Sequence, residues 1–160
     1  MKGKFIPTNR KKYKGIYPII YRSGWEKQYF QILDTSSKVL WWKSESISIP
    51  YYNPIRKKWC RYFPDIVMCI QREGYTEEVV VEIKPHKYTQ PPVLPKSGKK
   101  TRGYMYGLQE YVINQSKWEK CREYCENRGM SFQILTEETN PEWKWKPKPL
   151  KPLKPYRRKR

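Results

Sequence analysis

The chain has 160 residues, enough for one domain with a single core, and carries 34 Lys and Arg against 15 Asp and Glu, a net charge of +19. No apolar run approaches the ~18 residues of a membrane helix, and the short Tyr17-Pro-Ile-Ile-Tyr21 stretch does not make a secretory signal. The charge gathers at the ends: residues 1–14 hold six Lys/Arg and no acid, and residues 141–160 hold nine against one Glu.

Taking those +6 and +8 from +19 leaves +5 for residues 15–140. This predicts a domain over 15–140 between a basic N-terminal arm, 1–14, and a basic, proline-rich tail, 141–160. Charge clustered in this way suits a polyanion, with nucleic acid ahead of membranes or acidic proteins; the bland alternative is a solvated, solubilising tail. Without an export signal, Cys60, Cys69, Cys121 and Cys125 are expected as free thiols. Their spacing matches no common zinc pattern, and buried core positions suit them better.

In chain order, Ser23 is placed to cap a first helix running through Leu33, with Trp25, Tyr29, Ile32 and Leu33 on its apolar face. Residues 39–42 read as a strand, and 47–49 as a short half-buried one ended by Pro50. Residues 51–58 are turn-rich and basic. Strands are expected over 62–70 and 79–84, forming a hairpin with its turn near Gly74. Pro85 stops the second strand, and residues 86–103 form a Pro/Lys-rich loop. A long helix over 105–128 ends at Gly129, and 131–136 is a last strand. From Pro141 repeated proline favours an extended polyproline II tail. The order predicts an α/β sandwich around a mixed sheet.

Asp65, Glu82 and Lys84 stand out because they interrupt apolar strands, where a buried charge is costly unless paired or bound to a metal. Residues two apart on a strand share a face, so Val80, Glu82 and Lys84 lie on one side and Val79, Val81 and Ile83 on the other. A turn between Ile70 and Val79 would set Asp65 across from Lys84 and Glu82 across from Val67, within the ~5 Å of opposed pairs or the ~7–8 Å of diagonal ones. Oxygen ligands without nearby Cys or His suit Mg²⁺, with Mn²⁺ as a substitute. An ion on Asp65 and Glu82 could polarise a phosphate and activate water, and Lys84 could orient that water or stabilise developing negative charge. The bland reading is an exposed Glu/Lys pair on a solvated sheet face.

Glu26 has two readings from the residues alone. Ser23-Gly-Trp-Glu26 fits a capping box, and Glu26 could also present a third carboxylate to the metal site. Lys57, Lys58, Lys87, Lys99, Lys100 and Arg102 are candidate DNA-binding residues making sequence-independent phosphate contacts. Tyr51, Tyr52, Tyr88 and Tyr104, in basic loops, could stack on bases or serve the core. His86 is expected to be exposed or to touch phosphate rather than to act as a base.

Glu26 on a first helix, with Asp65, Glu82 and Lys84, resembles the PD-(D/E)XK nuclease superfamily. Within it the chain is similar to the head-completion nucleases of T4-like phages, themselves similar to the endonuclease subunit of Tn7-type transposases. The segments that carry the resemblance are Ile19-Ile-Tyr-Arg-Ser-Gly-Trp-Glu26, Trp41-Trp-Lys-Ser-Glu45, Ile49-Pro-Tyr-Tyr52, Arg61-Tyr-Phe-Pro-Asp65, Val81-Glu-Ile-Lys-Pro85 and Gln90-Pro-Pro92, with Trp118 and Phe132-Gln-Ile-Leu-Thr136 fitting the later helix and strand. It spans residues 1–140.

The resemblance implies a restriction-endonuclease-like fold, Mg²⁺-dependent cleavage of double-stranded DNA, catalytic roles for Glu26, Asp65, Glu82 and Lys84, and metal ligation by Asp65, Glu82 and Glu26. It further implies action in the host cytoplasm during virion assembly, or on the virion, beside phage head, portal or neck proteins, trimming packaged DNA before head–tail joining. No membrane partner is expected, and oligomeric state and endo- versus exonuclease balance stay open. The competing readings are a non-enzymatic DNA-binding connector with a degenerate nuclease fold and, further off, an RNA-binding protein.

Overall fold

The computed structural model describes residues 1–139; the tail expected over 141–160 lies outside them. In chain order the main elements are β1 (Gly3–Phe5), β2 (Ile19–Tyr21), α1 (Gly24–Thr35), β3 (Val39–Ser44), β4 (Ile49–Asn53), β5 (Lys58–Tyr62), β6 (Ile66–Gln71), β7 (Thr76–Ile83), α2 (Arg102–Glu126) and β8 (Ser131–Leu135). The central sheet runs β3-β6-β7-β8. Its first three strands are antiparallel, and β8 runs parallel to β7. A parallel neighbour needs a long crossover, and α2 supplies it. This is the expected α/β arrangement of a mixed sheet flanked by helices. No helix of the described residues is long and apolar enough to cross a membrane.

The two sheet faces bury separate apolar sets. On one, α1 lays Trp25, Tyr29, Phe30 and Leu33 against Ile66, Met68, Ile70, Val79, Val81 and Ile83. On the other, α2 sets Trp118, Cys121 and Cys125 against Val67 and Val80, joined by Ile49, Tyr51 and Tyr62 of the β4/β5 hairpin. Strands covered on both faces read as nearly continuous apolar runs, which is why β6 and β7 show little alternation in sequence. Cys69, Cys121 and Cys125 are buried as core residues, and Cys60 is half-buried.

Four local expectations change. The basic segment 1–14 packs on the domain rather than standing off as an arm: β1 pairs with β2, and the buried carboxylate of Asp34 accepts the backbone N–H groups of Thr8 at 2.8 Å and Asn9 at 3.0 Å. Tyr13 is buried edge-on to Trp42, centroids 4.6 Å apart. Six Lys/Arg in the sequence mask these few anchoring contacts.

The strand expected over 62–70 is two strands. Tyr62 ends β5 and Ile66 opens β6, with Phe63-Pro64-Asp65 between them. Pro64 offers no N–H to a ladder, so the chain turns there and leaves Asp65 at the mouth of β6. The short strand expected over 47–49 and ended by Pro50 instead runs over Ile49–Asn53, through Pro50, so only 54–57 of the expected 51–58 turn close the β4/β5 hairpin. Asn53 pairs with Lys58, and its Oδ1 accepts the N–H groups of Ile55 and Arg56, each at 3.0 Å. Asparagine mimicking a backbone turn in this way is a known turn former.

The β6/β7 register also differs from the expected one. Gln71 pairs with Thr76 and Ile66 with Val81, so the turn is only Arg72–Tyr75, with Gly74 at φ +79° and Arg72 N–H donating to the Tyr75 carbonyl at 2.8 Å. Thr76, Glu77 and Glu78 join the strand instead of the loop. Glu77 is anchored by Arg72 Nε at 2.8 Å and by the Ser131 hydroxyl. Continued one residue past Ile66, this register sets Asp65 across from Glu82, not Lys84.

Candidate active site

Asp65, Glu82 and Lys84 converge at the end of β6 and β7 where Pro64 and Pro85 end the strands. Glu82 lies on the α2 face of β7 and is only 7% exposed. Its Oε2 accepts the Tyr62 hydroxyl at 2.6 Å, and its Oε1 lies 3.8 Å from Lys84 Nζ. Asp65 Oδ2 accepts the Ile83 backbone N–H at 2.8 Å, so the loop carboxylate is fixed directly to the strand bearing Glu82. The expected grouping of these three residues is present, with the carboxylates facing one another.

Burial and mutual repulsion set the electrostatics. Desolvation pushes the Asp65 carboxyl well above its usual range; the Glu82 charge adds to this, Glu26 contributes further, and the Ile83 N–H and Lys84 pull the other way. Desolvation also raises Glu82, countered by the Tyr62 hydrogen bond and by the charges of Lys84 and Lys117. Buried carboxylates are harder to ionise than exposed ones, and the negative charge of Glu82 makes Asp65 harder still. Tyr62 is itself pushed up, chiefly by burial, and stays a hydrogen-bond donor.

Glu26 takes up its capping-box reading. Its backbone N–H donates to Ser23 Oγ at 3.1 Å. Its side chain accepts the Arg22 backbone N–H at 2.9 Å and the Ser23 hydroxyl at 3.1 Å. The carboxylate is therefore engaged in capping α1, while its charge reaches Asp65. Among the described residues no group of three or more His, Cys, Asp and Glu side chains is arranged to hold a metal ion. The oxygen pair of Asp65 and Glu82 nonetheless suits a hard cation, which is commonly bound by one or two carboxylates with water completing the shell.

Tyr62 and Lys117 are site residues that the sequence does not single out. Tyr62 reaches Glu82 only because the β4/β5 hairpin folds over the α2 side of the sheet. Lys117 is one basic residue among many on α2, and its Nζ lies 5.7 Å from the ring centroids of both Tyr51 and Tyr62. Its position next to buried Trp118 is the one available hint. Tyr51 is 4% exposed and serves the core, not base stacking; Tyr52 and Tyr88 keep exposed faces.

The candidate DNA-binding residues Lys57, Lys58, Lys87, Lys99, Lys100 and Arg102 are all exposed. Lys57 sits at φ +51° in the β4/β5 turn, and Lys58 opens β5. Lys87 lies in the short 3-10 turn His86–Tyr88 after β7, its Nζ 4.8 Å from the Tyr88 ring centroid. Lys99 and Lys100 precede α2, and Arg102 begins it. His86 Nδ1 lies 3.5 Å from Glu138, consistent with a peripheral residue.

Residues 36–137, which include β3 through β8 and three of the four candidate catalytic residues, match the family described as TnsA-like endonuclease N terminal. The chain is also 40% identical over 140 residues to the head completion nuclease of Enterobacteria phage T4, a match covering 85% of this chain and 91% of that protein. With a family match over more than half its length and a full-length relative at this identity, the chain belongs to the TnsA-like endonuclease family and has its mixed α/β nuclease fold.

Proposed function

We propose that this chain is a divalent-metal-dependent deoxyribonuclease that hydrolyses phosphodiester bonds of double-stranded DNA. The observation that carries the proposal is the buried pair Asp65 and Glu82, set face to face with Lys84 Nζ 3.8 Å from Glu82. Asp65 and Glu82 would hold Mg²⁺ or Mn²⁺, with Glu26 close enough to add charge. When bound, such an ion polarises a phosphate oxygen and lowers the pKa of coordinated water.

The protein's own groups do the positioning. Tyr62 fixes one Glu82 oxygen, and the Ile83 N–H fixes one Asp65 oxygen, so both carboxylates are oriented before substrate arrives. Lys84 can donate to a non-bridging phosphate oxygen or hold a water against the phosphorus, stabilising charge that grows in the transition state. Lys57, Lys58, Lys87, Lys99, Lys100 and Arg102 would neutralise flanking phosphates, giving binding that weakens with salt and reads little sequence.

The biological setting we infer is phage head completion, with trimming of packaged DNA before head–tail joining, in the host cytoplasm or on the assembling virion beside head, portal or neck proteins. The 40% identical T4 relative carries the name of that step. Incubating the purified chain with linear and covalently closed duplex DNA tests the chemistry and the cut type together. Products are expected with Mg²⁺ or Mn²⁺ and not with EDTA. A gel shift without cleavage under any metal condition would favour the non-enzymatic connector.

A further inference from the structure

Beside the candidate active site lies a groove of about 820 Å³ that the phosphate chemistry does not use. Lys84 and Lys87 lie at its β7 end, Tyr88 and Tyr106 supply aromatic rings, and Glu110 and Asn114 line its α2 wall. Its size falls within the ~300–1,000 Å³ of small-molecule sites. We propose that this groove takes an unstacked nucleobase of the DNA strand whose phosphate lies at Asp65, Glu82 and Lys84, an assignment that rests on the nuclease reading.

Asn114 is the main argument. It falls at helical spacing with Trp118, Cys121 and Cys125, the other buried residues of α2, so it takes the place where an apolar residue would continue the stripe. It is 5% exposed and lines the groove. Among the described residues nothing hydrogen-bonds its carboxamide, and its amide atoms are not among those sealed from solvent. The amide therefore faces the groove with its hydrogen-bonding capacity open to water or to a ligand there. The carboxamide offers a donor and an acceptor side by side, the pattern that pairs with a base edge.

The remaining lining fits the same ligand. Tyr106 is 67% exposed and Tyr88 41% exposed, and exposed rings beside a basic site stack on bases of any sequence. Glu110 accepts hydrogen bonds only, which suits the ring N–H or amino donors of bases (thymine N3–H included) and opposes a phosphate inside the groove. The phosphates are left to Lys84 and Lys87 at the end. Pro92 packs against α2 at Gly107, where an added Cβ would lie 3.4 Å from Pro92 Cβ, an ordinary van der Waals contact.

The test uses the full chain in EDTA, where cleavage does not intervene, and two probes of equal charge: a single-stranded 12-mer of thymidylate and an abasic 12-mer of the same backbone. The thymidylate strand is expected to bind about tenfold or more tighter. Tyr106→Ala and Asn114→Leu should each remove most of that preference while leaving abasic-strand affinity unchanged. Tyr106 is exposed, so its variant reports even if Asn114→Leu fails to fold. Equal affinity for the two probes, or a preference that survives Tyr106→Ala, overturns the assignment. The nuclease reading fails separately: if the wild-type chain shows the base preference yet cuts no DNA with Mg²⁺ or Mn²⁺, the groove stands and the metal site falls.

Discussion

Replacing Asp65 with Asn should stabilise the metal-free protein while destroying its activity. Asp65 and Glu82 oppose one another across β6 and β7, and opposed strand positions are ~5 Å apart. Two like charges at that distance repel by about 3 kcal/mol at an effective dielectric near 20. Lys84 and Lys117 already offset part of this, so a net gain of about 1–2 kcal/mol is reasonable. For a chain of this size that is about 2–8 °C in Tm. The asparagine keeps a carbonyl oxygen for the Ile83 N–H, so the contact at 2.8 Å need not be lost.

The pH dependence has a definite sign. The folded carboxyl of Asp65 titrates well above its ordinary value of 3.8, so between those two values the native state binds more protons than the unfolded one. Stability is therefore highest below the ordinary aspartate range and is lost as pH rises through the raised folded value. Thermal unfolding in EDTA across that range should show this fall for wild type and a smaller one for Asp65→Asn. Mg²⁺ should raise the wild-type Tm at neutral pH and leave the variant nearly unmoved. An Asp65→Asn protein that melts lower than wild type in EDTA, or equal responses to Mg²⁺, would refute this electrostatic reasoning.

Three further outcomes are expected. Tyr62→Phe removes a hydrogen bond to a buried carboxylate, worth about 1.5–3 kcal/mol; the acid limb of the cleavage pH profile should move to higher pH, and kcat/KM at neutral pH should fall by about tenfold or more. Lys117→Met should move that limb in the same direction, since Lys117 holds the Glu82 pKa down; an unmoved limb in both variants removes Glu82 from the reacting set. Changing Lys99, Lys100 and Arg102 together to Ala should reduce the slope of log affinity against log salt by roughly 2–3, measured by fluorescence anisotropy on duplex DNA.

How far the site could be read from sequence depended on whether its partners were local. Ser23 capping α1 through Glu26 is a three-residue pattern and is present as expected. So is the sharing of faces along β7, where Val80 and Glu82 meet α2 while Val79 and Val81 meet α1. The Asp65–Glu82 pairing is half local: the residues were visible, but the register depended on where the turn began. Thr76-Glu77-Glu78 looks like loop by composition and becomes strand through Arg72 and Ser131.

Long-range partners left no such trace. Tyr62 meets Glu82 because Pro64 breaks the chain between β5 and β6, an event that a continuous apolar run conceals. The N-terminal segment looked like an arm because its charge dominates, whereas its placement rests on Asp34 and Trp42, 25 or more residues away from the residues they hold. Asn114 has a helical-stripe signal, a polar residue where an apolar one is expected, but only the fold shows that the groove beside it reaches Lys84.

The central claim is that Asp65 and Glu82 form a metal-dependent DNA-cleaving centre with Lys84. Cleavage of duplex DNA by purified Asp65→Ala, run beside wild type in Mg²⁺ and paired with a binding assay in EDTA, tests it most directly. Retained folding and DNA affinity with loss of cleavage is the predicted result. Undiminished cleavage by Asp65→Ala would contradict it.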